Sequence, residues 1–278
     1  MWINRGDVKE LSANIRRIID GQAVDLRDNR EGLWSILKND IHTLANLKNE
    51  QVDLLGNERD LMAETLTNIS HQLKTPLTSS MIMADLLENA PPDKQEEFLI
   101  NIKSGLTRMD WLVSALLKMA KLDAGVVEFS MESISSGVVA HNALEPLQIL
   151  LDIKNQSVEV QCEAELFCDK RWTVEALTNV IKNASEYSPE GGKIFIKSGV
   201  NPICAWVSVT DDGEGIPGNK IAGLFKRFEG SRSDKGYGIG LPLALAIMRG
   251  QNGDIEVDGG GGGSLRGKGA TFTLKFFK

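Results

Sequence analysis

His71 is the residue whose type and setting most clearly indicate chemistry. It lies in the segment 68–77, Asn-Ile-Ser-His-Gln-Leu-Lys-Thr-Pro-Leu, within a long stretch of helical periodicity, and the chain has only three histidines. A histidine on a helix most often packs or is merely solvated, but polar and basic neighbours argue against a core position here. Pro76 follows five residues later and is expected to bend the helix, because proline removes a backbone hydrogen bond. An exposed imidazole, which can act as a nucleophile or carry protons, beside such a bend indicates a functional site.

Two asparagines in the second half of the chain could hold a metal ion. Asn179 and Asn183 are four residues apart in the helical segment 179–187, so they share one face of the helix. An amide oxygen that faces a pocket is a suitable hard ligand for Mg²⁺. The alternative is that both asparagines are solvated or cap the helix.

A carboxylate followed by glycines could recognise a ligand directly after a strand. In the segment 211–217, Asp211 could accept a hydrogen bond from an exocyclic amine such as that of adenine. Gly213 and Gly215 would let the backbone approach the ligand closely. The alternative is a tight turn, in which Asp-Gly pairs are common.

A glycine repeat at 236–241 opens a helix, where successive backbone N–H groups can bind an anion. No Gly-Lys-Ser/Thr follows it, so it is not a Walker loop, and its spacing and late position do not fit a dinucleotide fingerprint. A further glycine cluster, 267–272, enters the last predicted strand. Together with the clusters at 179 and 211, these segments predict a phosphate-binding pocket.

The segment 222–235 is polar, bordered by glycines and basic at its centre, which is typical of a mobile lid. Phe225 and Phe228 could anchor it. Four cations could reach phosphate oxygens from it, namely Lys226, Arg227, Arg232 and Lys235. A plain surface loop is the alternative.

Apolar residues at steps of three and four predict the helices that must position His71. A short helix is expected at 8–19 and a break at 21–32, and a helix about 80 Å long should run from near Leu37 to two consecutive prolines. Asp93 could cap the helix that follows. Such a rod cannot bury its apolar stripe alone, so two hairpins are expected to form a four-helix bundle. An elongated coiled coil without chemistry is the alternative. The apolar side of the second helix carries Phe98, Ile102, Leu106, Met109, Leu112, Val113, Leu116 and Met119.

The pattern of the sequence changes after Gly125. Short β-type runs appear at 157–162, 193–197, 205–210, 254–257 and 271–276, and helical segments at 172–187 and 241–249 alternate with them. This alternation predicts an α/β sandwich, a mixed sheet with helices on one face. The glycine tract 259–264 is expected to be a flexible loop without chemistry.

Composition argues against several kinds of partner. The formal net charge is −7, so nucleic acid is not expected to bind, since phosphate neutralisation needs a basic face. The cysteines, Cys162, Cys168 and Cys204, lack metal-ligand spacing and are expected to be buried free thiols in a reducing compartment. No apolar run reaches transmembrane length and the chain does not start with a signal peptide, so no membrane contact by this chain itself is expected.

The clusters, in this order, resemble those of the sensor histidine kinases of two-component signalling. The resemblance extends from about Leu61 to the C-terminus, roughly three-quarters of the chain. The matching motifs are the phosphoacceptor box at 68–77, the N box at 179–187, the first glycine box at 211–216, the F box at 225–228 and the second glycine box at 236–241. The resemblance implies a dimeric four-helix bundle joined to a Bergerat-type α/β sandwich that binds ATP, preceded by a helical stalk.

The resemblance also implies roles for single residues. His71 would take the γ-phosphate of ATP on a ring nitrogen and pass it to an aspartate in the receiver domain of a cognate response regulator. Asn183 would bind Mg²⁺, with Asn179 near it. Asp211 would bind the adenine amine, and Tyr187 would lie by the nucleoside.

Thr75 matches the position that orients water when such proteins dephosphorylate their regulator, so phosphatase activity is implied as well. The predicted catalytic residues are therefore His71, Gln72 and Thr75, and the predicted metal ligand is Asn183. The predicted nucleotide-binding residues combine pocket, glycine-box and lid positions: Asn179, Asn183, Tyr187, Asp211, Gly213, Gly215, Ile216, Lys226, Arg227, Gly236, Gly238, Gly240, Leu241 and Thr271.

The family organisation implies three parts of the chain. Residues 1–60 would be a helical signal-relay or coiled-coil segment, 61–131 the dimerisation and histidine phosphotransfer domain, and 132–278 the catalytic ATP-binding domain. The segment 122–132 would be the hinge. The protein would be a homodimer and the cytoplasmic part of a membrane-anchored sensor.

Three departures from the family pattern bear on activity. Gln72 stands where the family usually has Glu or Asp, and an amide oxygen can hold the imidazole N–H but cannot take its proton, so slower kinase activity or water as the final base is expected. Glu186 occupies a position that is often Lys or Arg, and it would repel ATP unless Lys182, Lys226 or Arg227 compensates. The segment 8–49 resembles a HAMP signal-relay module only in its helix–connector–helix order, so a plain coiled-coil linker fits equally.

Two other functions stay open on the sequence. A Bergerat-fold ATPase of another class usually carries a catalytic glutamate on the N-box helix, but Glu186 lies after Asn183 and not at that place. A degenerate kinase that only binds nucleotide and docks a regulator gains support from Gln72 and Glu186.

Overall fold

The computed structural model describes residues 5–19, 24–26, 33–88, 90–228, 238–260 and 269–278. They belong to two compact units, Met1–Thr67 and Asn68–Lys278. A long helix, α2 (Leu33–Leu87), contributes to both units. Its 55 residues confirm the long helix that was predicted to run from near Leu37 to the two prolines.

The first unit is built from a short helix and the beginning of α2. The short helix, α1 (Arg5–Ile19), confirms the helix predicted at 8–19. The predicted break at 21–32 lies outside the described residues except for 24–26, which have neither helical nor strand structure. The buried and partly buried apolar residues of this unit form one cluster: Leu11, Ile15, Ile18, Val24, Leu26, Ile41 and Ala45.

The second unit begins with a helical hairpin. After α2 has passed Pro76, the helix α3 (Pro92–Asp123) follows, and the two helices meet at Gly105. A Cβ on Gly105 would lie 3.5 Å from the Pro76 carbonyl oxygen and would overlap the hydroxyl of Ser80, so the two helices approach each other closely here.

The prediction that Asp93 caps α3 was wrong. The N-cap is Pro91, which has extended backbone angles, and Pro92 is the first helical residue. Proline is favoured at this position because its missing N–H would have no partner within the helix. Asp93 therefore lies inside the first turn.

One chain leaves much of the apolar surface of the hairpin uncovered. On the predicted apolar side of α3, Leu112 and Met119 are buried, whereas Leu106 and Val113 are exposed. Other exposed apolar residues of the hairpin are Leu77, Met81, Ile82, Leu86, Leu99, Ile100 and Leu117. An exposed apolar face of this kind is typical of an interface with another chain.

Two sheets form the α/β part of the second unit. The smaller sheet pairs β1 (Met131–Ser135) with β3 (Glu165–Asp169) in antiparallel fashion. The larger sheet has the strand order β2-β4-β5-β7-β6. These strands are β2 (Ser157–Gln161), β4 (Lys193–Val200), β5 (Cys204–Thr210), β6 (Gly253–Asp258) and β7 (Thr271–Phe277). Because β2 and β4 are parallel and the other neighbours antiparallel, the prediction of a mixed sheet is confirmed.

The helices of this part are partly those that were predicted. They are α4 (Ser136–Leu144), a 3₁₀ turn (Glu145–Leu147), α5 (Gln148–Ile153), α6 (Lys170–Tyr187), α7 (Gly218–Ile221) and α8 (Gly240–Gly250). α6 and α8 confirm the helices expected at 172–187 and 241–249. The short helices α4, α5 and α7 were not predicted, because four to nine residues are too few to establish a helical period, and the strands β1 and β3 were not predicted either.

α6 and α8 cover one face of the five-stranded sheet. Alternate strand residues are buried and lie opposite one another, as Val209 does with Ile196 on one side and with Phe272 on the other. A period of two places all such residues on the same face. The helices contribute buried residues to the same core, among them Leu177, Val180, Ile181, Leu243, Ile247 and Met248.

The last turns of α3 belong to this core as well. Leu112, Ala115 and Met119 are buried in the same cluster as the residues of the sheet and of α6 and α8. A Cβ on Gly250, at the end of α8, would lie 2.7 Å from the ring of Phe129. α3 therefore packs on the α/β part. The prediction of a hinge at 122–132 did not anticipate this contact.

The three cysteines are free thiols, as predicted. Cys168 and Cys204 are buried, and Cys162 is half-buried. Burial raises the pKa of the Cys162 and Cys168 thiols. Burial therefore favours the thiol over the thiolate, which is the nucleophilic form.

Replacing Ile196 by Ala should destabilise the second unit, because this side chain is fully buried between the sheet and the helices. We expect a loss of about 2–5 kcal/mol in the free energy of unfolding, measured by urea denaturation. Val200→Ala on the same strand is the matched control, since Val200 is 55% exposed. If both variants were equally stable, this face of β4 would not line the core.

Candidate functional site

His71 is exposed on α2, between two residues that pack this part of the helix against the hydrophobic core. Ile69 and Leu73 are half-buried and pack against the hydrophobic core, whereas the imidazole of His71 is exposed. The hydroxyl of Thr75 donates a hydrogen bond to the His71 carbonyl oxygen at 3.2 Å. The structure thus places an accessible imidazole one helical turn before a hydroxyl and before Pro76. While Thr75 donates to this carbonyl, its oxygen can still accept a hydrogen bond from water.

α6 carries both predicted asparagines, but they have different surroundings. Asn179 donates from Nδ2 to the Glu175 carbonyl oxygen at 2.9 Å. Its Oδ1 faces Gly240, where a Cβ would lie 3.0 Å away, so Asn179 is part of the contact between α6 and α8. Asn183 is half-buried, and its amide forms no hydrogen bond with any described residue. Asn183 is therefore the better placed of the two to bind a hard cation or a ligand.

Asp211 is a buried carboxylate held by backbone donors. It follows β5 directly and is 5% exposed. Its Oδ1 accepts hydrogen bonds from the N–H groups of Gly213 at 2.9 Å and of Ala270 at 3.1 Å. Burial raises the pKa of Asp211, although the same two hydrogen bonds oppose this rise. Within the described ranges nothing donates to Oδ2, so this oxygen can accept a hydrogen bond from a ligand.

The glycines after Asp211 are required by close backbone contacts. A Cβ on Gly213 would lie 2.7 Å from the carbonyl oxygen of Tyr187. Gly215 has a φ of +78°, which favours glycine. The next residue, Ile216, donates its N–H to the Gly259 carbonyl oxygen at 2.7 Å. The loop after β5 thus contacts both the end of α6 and the residue after β6.

The two phenylalanines of the predicted lid hold its first part in place. Phe228 is buried and Phe225 is half-buried, and both belong to the hydrophobic core. Phe228 donates its N–H to the Gly238 carbonyl oxygen at 2.9 Å, and both residues have a φ of +64°. Residues 229–237, which include Gly236, lie outside the described residues.

Other predicted nucleotide-binding residues differ in their access to a ligand. Tyr187 is 56% exposed at the end of α6, and Lys226 is exposed. Leu241 is buried in the first turn of α8 and therefore belongs to the core. The hydroxyl of Thr271 lies 2.9 Å from that of Thr210 on the neighbouring strand. Their roles in nucleotide binding stay predictions.

Two of the cations that were predicted to compensate the charge of Glu186 contact the protein itself. Nη2 of Arg227 lies 2.8 and 2.7 Å from the two carboxylate oxygens of Asp123, the last residue of α3. Nζ of Lys182 lies 3.9 Å from Glu186 and 5.1 Å from the centre of the Trp111 ring. Lys182 thus lies close enough to offset part of the charge of Glu186, whereas Nη2 of Arg227 is bound to Asp123.

A cleft of about 920 Å³ adjoins α6. It is lined by residues of α3, α4 and α6, among them Trp111, Asn142, Val174, Asn179 and Lys182. Asn179 is shared with the predicted nucleotide site, but Asp211 does not line the cleft. This cleft is therefore distinct from the surroundings of Asp211.

Sequence reasoning missed residues that act through tertiary contacts. The amide of Gln156 donates to carbonyl groups at the end of α6, 29 to 33 residues later in the chain. Lys118 on α3 lies 2.7 Å from Glu175 on α6. Neither residue belongs to a motif, and backbone carbonyls leave no signal in a sequence, so nothing marked them in advance.

Two family models match the chain. Residues 61–125, which include His71 and Thr75, match HisKA, the His Kinase A (phospho-acceptor) domain. Residues 168–278, which include Asn183 and Asp211, match HATPase_c, the histidine kinase-, DNA gyrase B-, and HSP90-like ATPase. One match thus contains the predicted phosphoacceptor, and the other contains predicted nucleotide-binding residues.

Known proteins resemble the chain in sequence and fold. The heme sensor protein HssS of Staphylococcus saprophyticus is 29% identical over 230 residues, which cover 79% of this chain and 47% of HssS. The chain spans between 30% and 65% of the length of eight curated relatives that it matches. Acinetobacter baumannii histidine kinase AdeS has a TM-score of 0.62 and 24% identity, covering 74% of this chain and 97% of AdeS. Histidine kinase ThkA, in complex with response regulator protein TrrA, has a TM-score of 0.62 and 19% identity, covering 83% of this chain and 66% of ThkA. These structures share the fold.

The described part of the chain has no helix with the apolar length that a bilayer crossing requires. Nor do its described residues bring together three or more His, Cys, Asp or Glu side chains that could hold a metal ion. The predicted Mg²⁺ site therefore rests on Asn183.

Asp211→Asn should leave the protein at least as stable as the wild type at neutral pH. Because burial raises the pKa of this carboxyl above an unfolded value of about 3.9, the folded state binds the proton more tightly. Stability therefore falls as pH rises from the unfolded to the folded pKa. The amide keeps an oxygen for Gly213 and Ala270 and carries no charge.

Urea unfolding of both proteins at neutral pH and at about pH 4 tests this expectation, and the advantage of the variant should shrink on the acid side. A variant less stable than the wild type at neutral pH would show that the fold stabilises the charge itself.

Proposed function

The chain belongs to the sensor histidine kinases of two-component signalling, and on this premise we propose that it is an ATP-dependent protein-histidine kinase. It phosphorylates itself on His71 and passes the phosphoryl group to an aspartate of a response regulator. One observation carries this proposal: the unit Asn68–Lys278 combines an exposed imidazole on a helical hairpin with the buried, glycine-flanked carboxylate of Asp211.

ATP and Mg²⁺ are the proposed cofactors. Oδ2 of Asp211 accepts a hydrogen bond from the adenine amine, and the exposed ring of Tyr187 lies by the nucleoside. Asn183 would hold Mg²⁺ through its amide oxygen. The ion would neutralise charge on the phosphates. The glycine boxes shape the pocket, through Gly213, Gly215, Gly238 and Gly240.

The phosphoryl transfer requires little of the protein beyond positioning. A nitrogen of the neutral imidazole forms a bond to the γ-phosphorus, while the bond to the bridging oxygen breaks and ADP leaves with that electron pair. The other ring nitrogen then loses its proton. Gln72 can accept a hydrogen bond from this N–H but cannot take the proton, so water is the final base. In the second step a carboxylate oxygen of the regulator attacks the phosphorus and the imidazole leaves.

A second copy of the chain is the proposed partner of the hairpin. The apolar side chains that α2 and α3 expose become buried in a dimeric four-helix bundle. A receiver domain is the other proposed partner, and the complex of ThkA with TrrA supports it by analogy of fold.

We propose the domain limits and location that the family resemblance implies. Residues 1–60 relay the signal, 61–131 form the dimerisation and phosphotransfer domain, and 132–278 form the catalytic domain. The cytoplasm is the proposed location, because ATP and response regulators are found there. The chain would belong to a membrane-anchored sensor.

A degenerate kinase that binds nucleotide and regulator without transferring phosphate is the second candidate. Gln72 favours it, because no carboxylate directly follows His71. Glu186 favours it less than the sequence alone indicated, since Lys182 lies 3.9 Å from its carboxylate. An ATPase of another class has the weaker support, because residues 61–125 match a phospho-acceptor domain.

His71→Gln should abolish the incorporation of acid-labile, alkali-stable phosphate from labelled ATP, because no other side chain is the proposed acceptor. His141→Gln is the matched control, since His141 is an exposed histidine on α4. Label that persists in His71→Gln would refute the choice of acceptor. A wild type that binds nucleotide tightly without any label would favour the degenerate module.

Thr75→Ala should spare autophosphorylation and slow the dephosphorylation of a phosphorylated receiver domain by about tenfold or more, because the hydroxyl that orients water is lost. Thr67→Ala is the control, since Thr67 lies on the same helix and makes the same type of hydrogen bond to a carbonyl four residues earlier. Equal loss of both activities in Thr75→Ala would mean that Thr75 is structural.

A further inference from the structure

Gln156 is a buried residue whose side chain binds the end of the helix that carries Asn183. It precedes β2 and is 8% exposed. Its Nε2 lies 3.0, 3.3 and 3.1 Å from the carbonyl oxygens of Ser185, Ser188 and Pro189. Its Oε1 accepts a hydrogen bond from the Ser185 hydroxyl at 2.6 Å. A single side chain thus contacts three backbone acceptors and one hydroxyl.

The Ser185 carbonyl needs a partner because a helix leaves its last four carbonyls without internal hydrogen bonds, whereas Ser188 and Pro189 lie just beyond the helix. α6 ends at Tyr187, and the Ala184 carbonyl is satisfied by the N–H of Ser188 at 2.9 Å. The Ser185 carbonyl has a second donor, since Nζ of Lys154 lies 2.7 Å from it. A positive charge at the C-terminal end of a helix is favourable. Side-chain donors from the turn 154–156 thus satisfy a carbonyl that a further helical turn would otherwise satisfy.

The end of α6 supports the loop that contains Asp211. A Cβ on Gly213 would lie 2.7 Å from the Tyr187 carbonyl oxygen, so this loop packs directly on the last residue of α6. The N–H of Lys193 donates to Asp212 at 2.9 Å and connects the same loop to the start of β4. Because Gly213 also donates to Asp211, a shift of the end of α6 would reach the buried carboxylate.

We infer that Gln156 is a positioning residue of the nucleotide site, an inference that rests on the proposed function. It holds the last turns of α6, and with them Asn183 and Tyr187, in a fixed relation to Asp211. Gln156 touches the helix end and not the nucleotide. It therefore sets the affinity for ATP and leaves the transfer to His71 unchanged once ATP is bound.

Gln156→Met in the full chain tests this role, because methionine has a similar length and makes none of these hydrogen bonds. We expect the dissociation constant of a fluorescent ATP analogue, measured with Mg²⁺, to rise about tenfold. The KM for ATP in autophosphorylation should rise by about the same factor, while the rate at saturating ATP stays within about twofold of the wild type.

Gln251→Met is the matched control. Gln251 is another buried glutamine, 5% exposed, but it binds the opposite end of α6, where its Oε1 accepts a hydrogen bond from the Asp169 N–H at 2.6 Å. Its replacement should lower the midpoint of thermal unfolding as Gln156→Met does, yet leave the dissociation constant within about twofold.

If Gln156→Met does not fold, Lys154→Met tests the positioning role in its place. Lys154 is only half-buried, so its replacement should disturb folding less. It should raise the dissociation constant about threefold. The following outcome overturns the positioning role, provided that the wild type binds the analogue. The dissociation constant is unchanged in the folded Gln156→Met protein, or in Lys154→Met if only that variant folds. A wild type that binds no analogue refutes the proposed function itself, and the inference falls with it.

Discussion

The burial of one carboxylate constrains the α/β part of this protein. Asp211 loses most of its water at the end of β5, and the N–H groups of Gly213 and Ala270 replace part of that hydration. For both groups to reach Oδ1, the loop after β5 and the residue before β7 must approach it closely. Gly269 permits this, because any Cβ there would collide with the Asp211 backbone. Burial still raises the pKa of the carboxyl, so in the proposed site a ligand that donates an N–H to Oδ2 would stabilise the charged form.

The helical hairpin is packed against this part, and that contact matters for the proposed reaction. Leu112, Ala115 and Met119 of α3 are buried in the common core. The ion pair of Arg227 with Asp123 is about half exposed, and such pairs contribute about 0.2–1 kcal/mol. Apolar burial therefore dominates the contact. A nucleotide held near Asp211 has to approach the exposed imidazole on α2, so we expect this packing to change during the catalytic cycle.

Sequence patterns predicted the elements that are long or strongly periodic. The helices α2, α3, α6 and α8 and the five strands of the larger sheet each repeat an apolar spacing over enough residues to be recognised. The helices that were missed are short, and β1 with β3 forms a sheet only because paired residues 30 or more apart in sequence meet. The incorrect cap at Asp93 has a local cause: proline suits the first turn as well as a capping side chain suits the position before it.

The sequence by itself determined which side chains could do chemistry. Residue type and local spacing identify His71, Asn183 and Asp211. The proposed reaction needs an imidazole, an amide oxygen and a carboxylate. In the sequence the imidazole stands shortly before a proline in a helical segment, the amide on a helix face and the carboxylate before glycines. Only the tertiary structure decided what surrounds them. Arg227 meets Asp123 across 104 residues, and Gln156 meets the end of α6 from 29 residues away. Such contacts depend on how whole elements pack, and on backbone groups that every residue carries, so local spacing does not encode them.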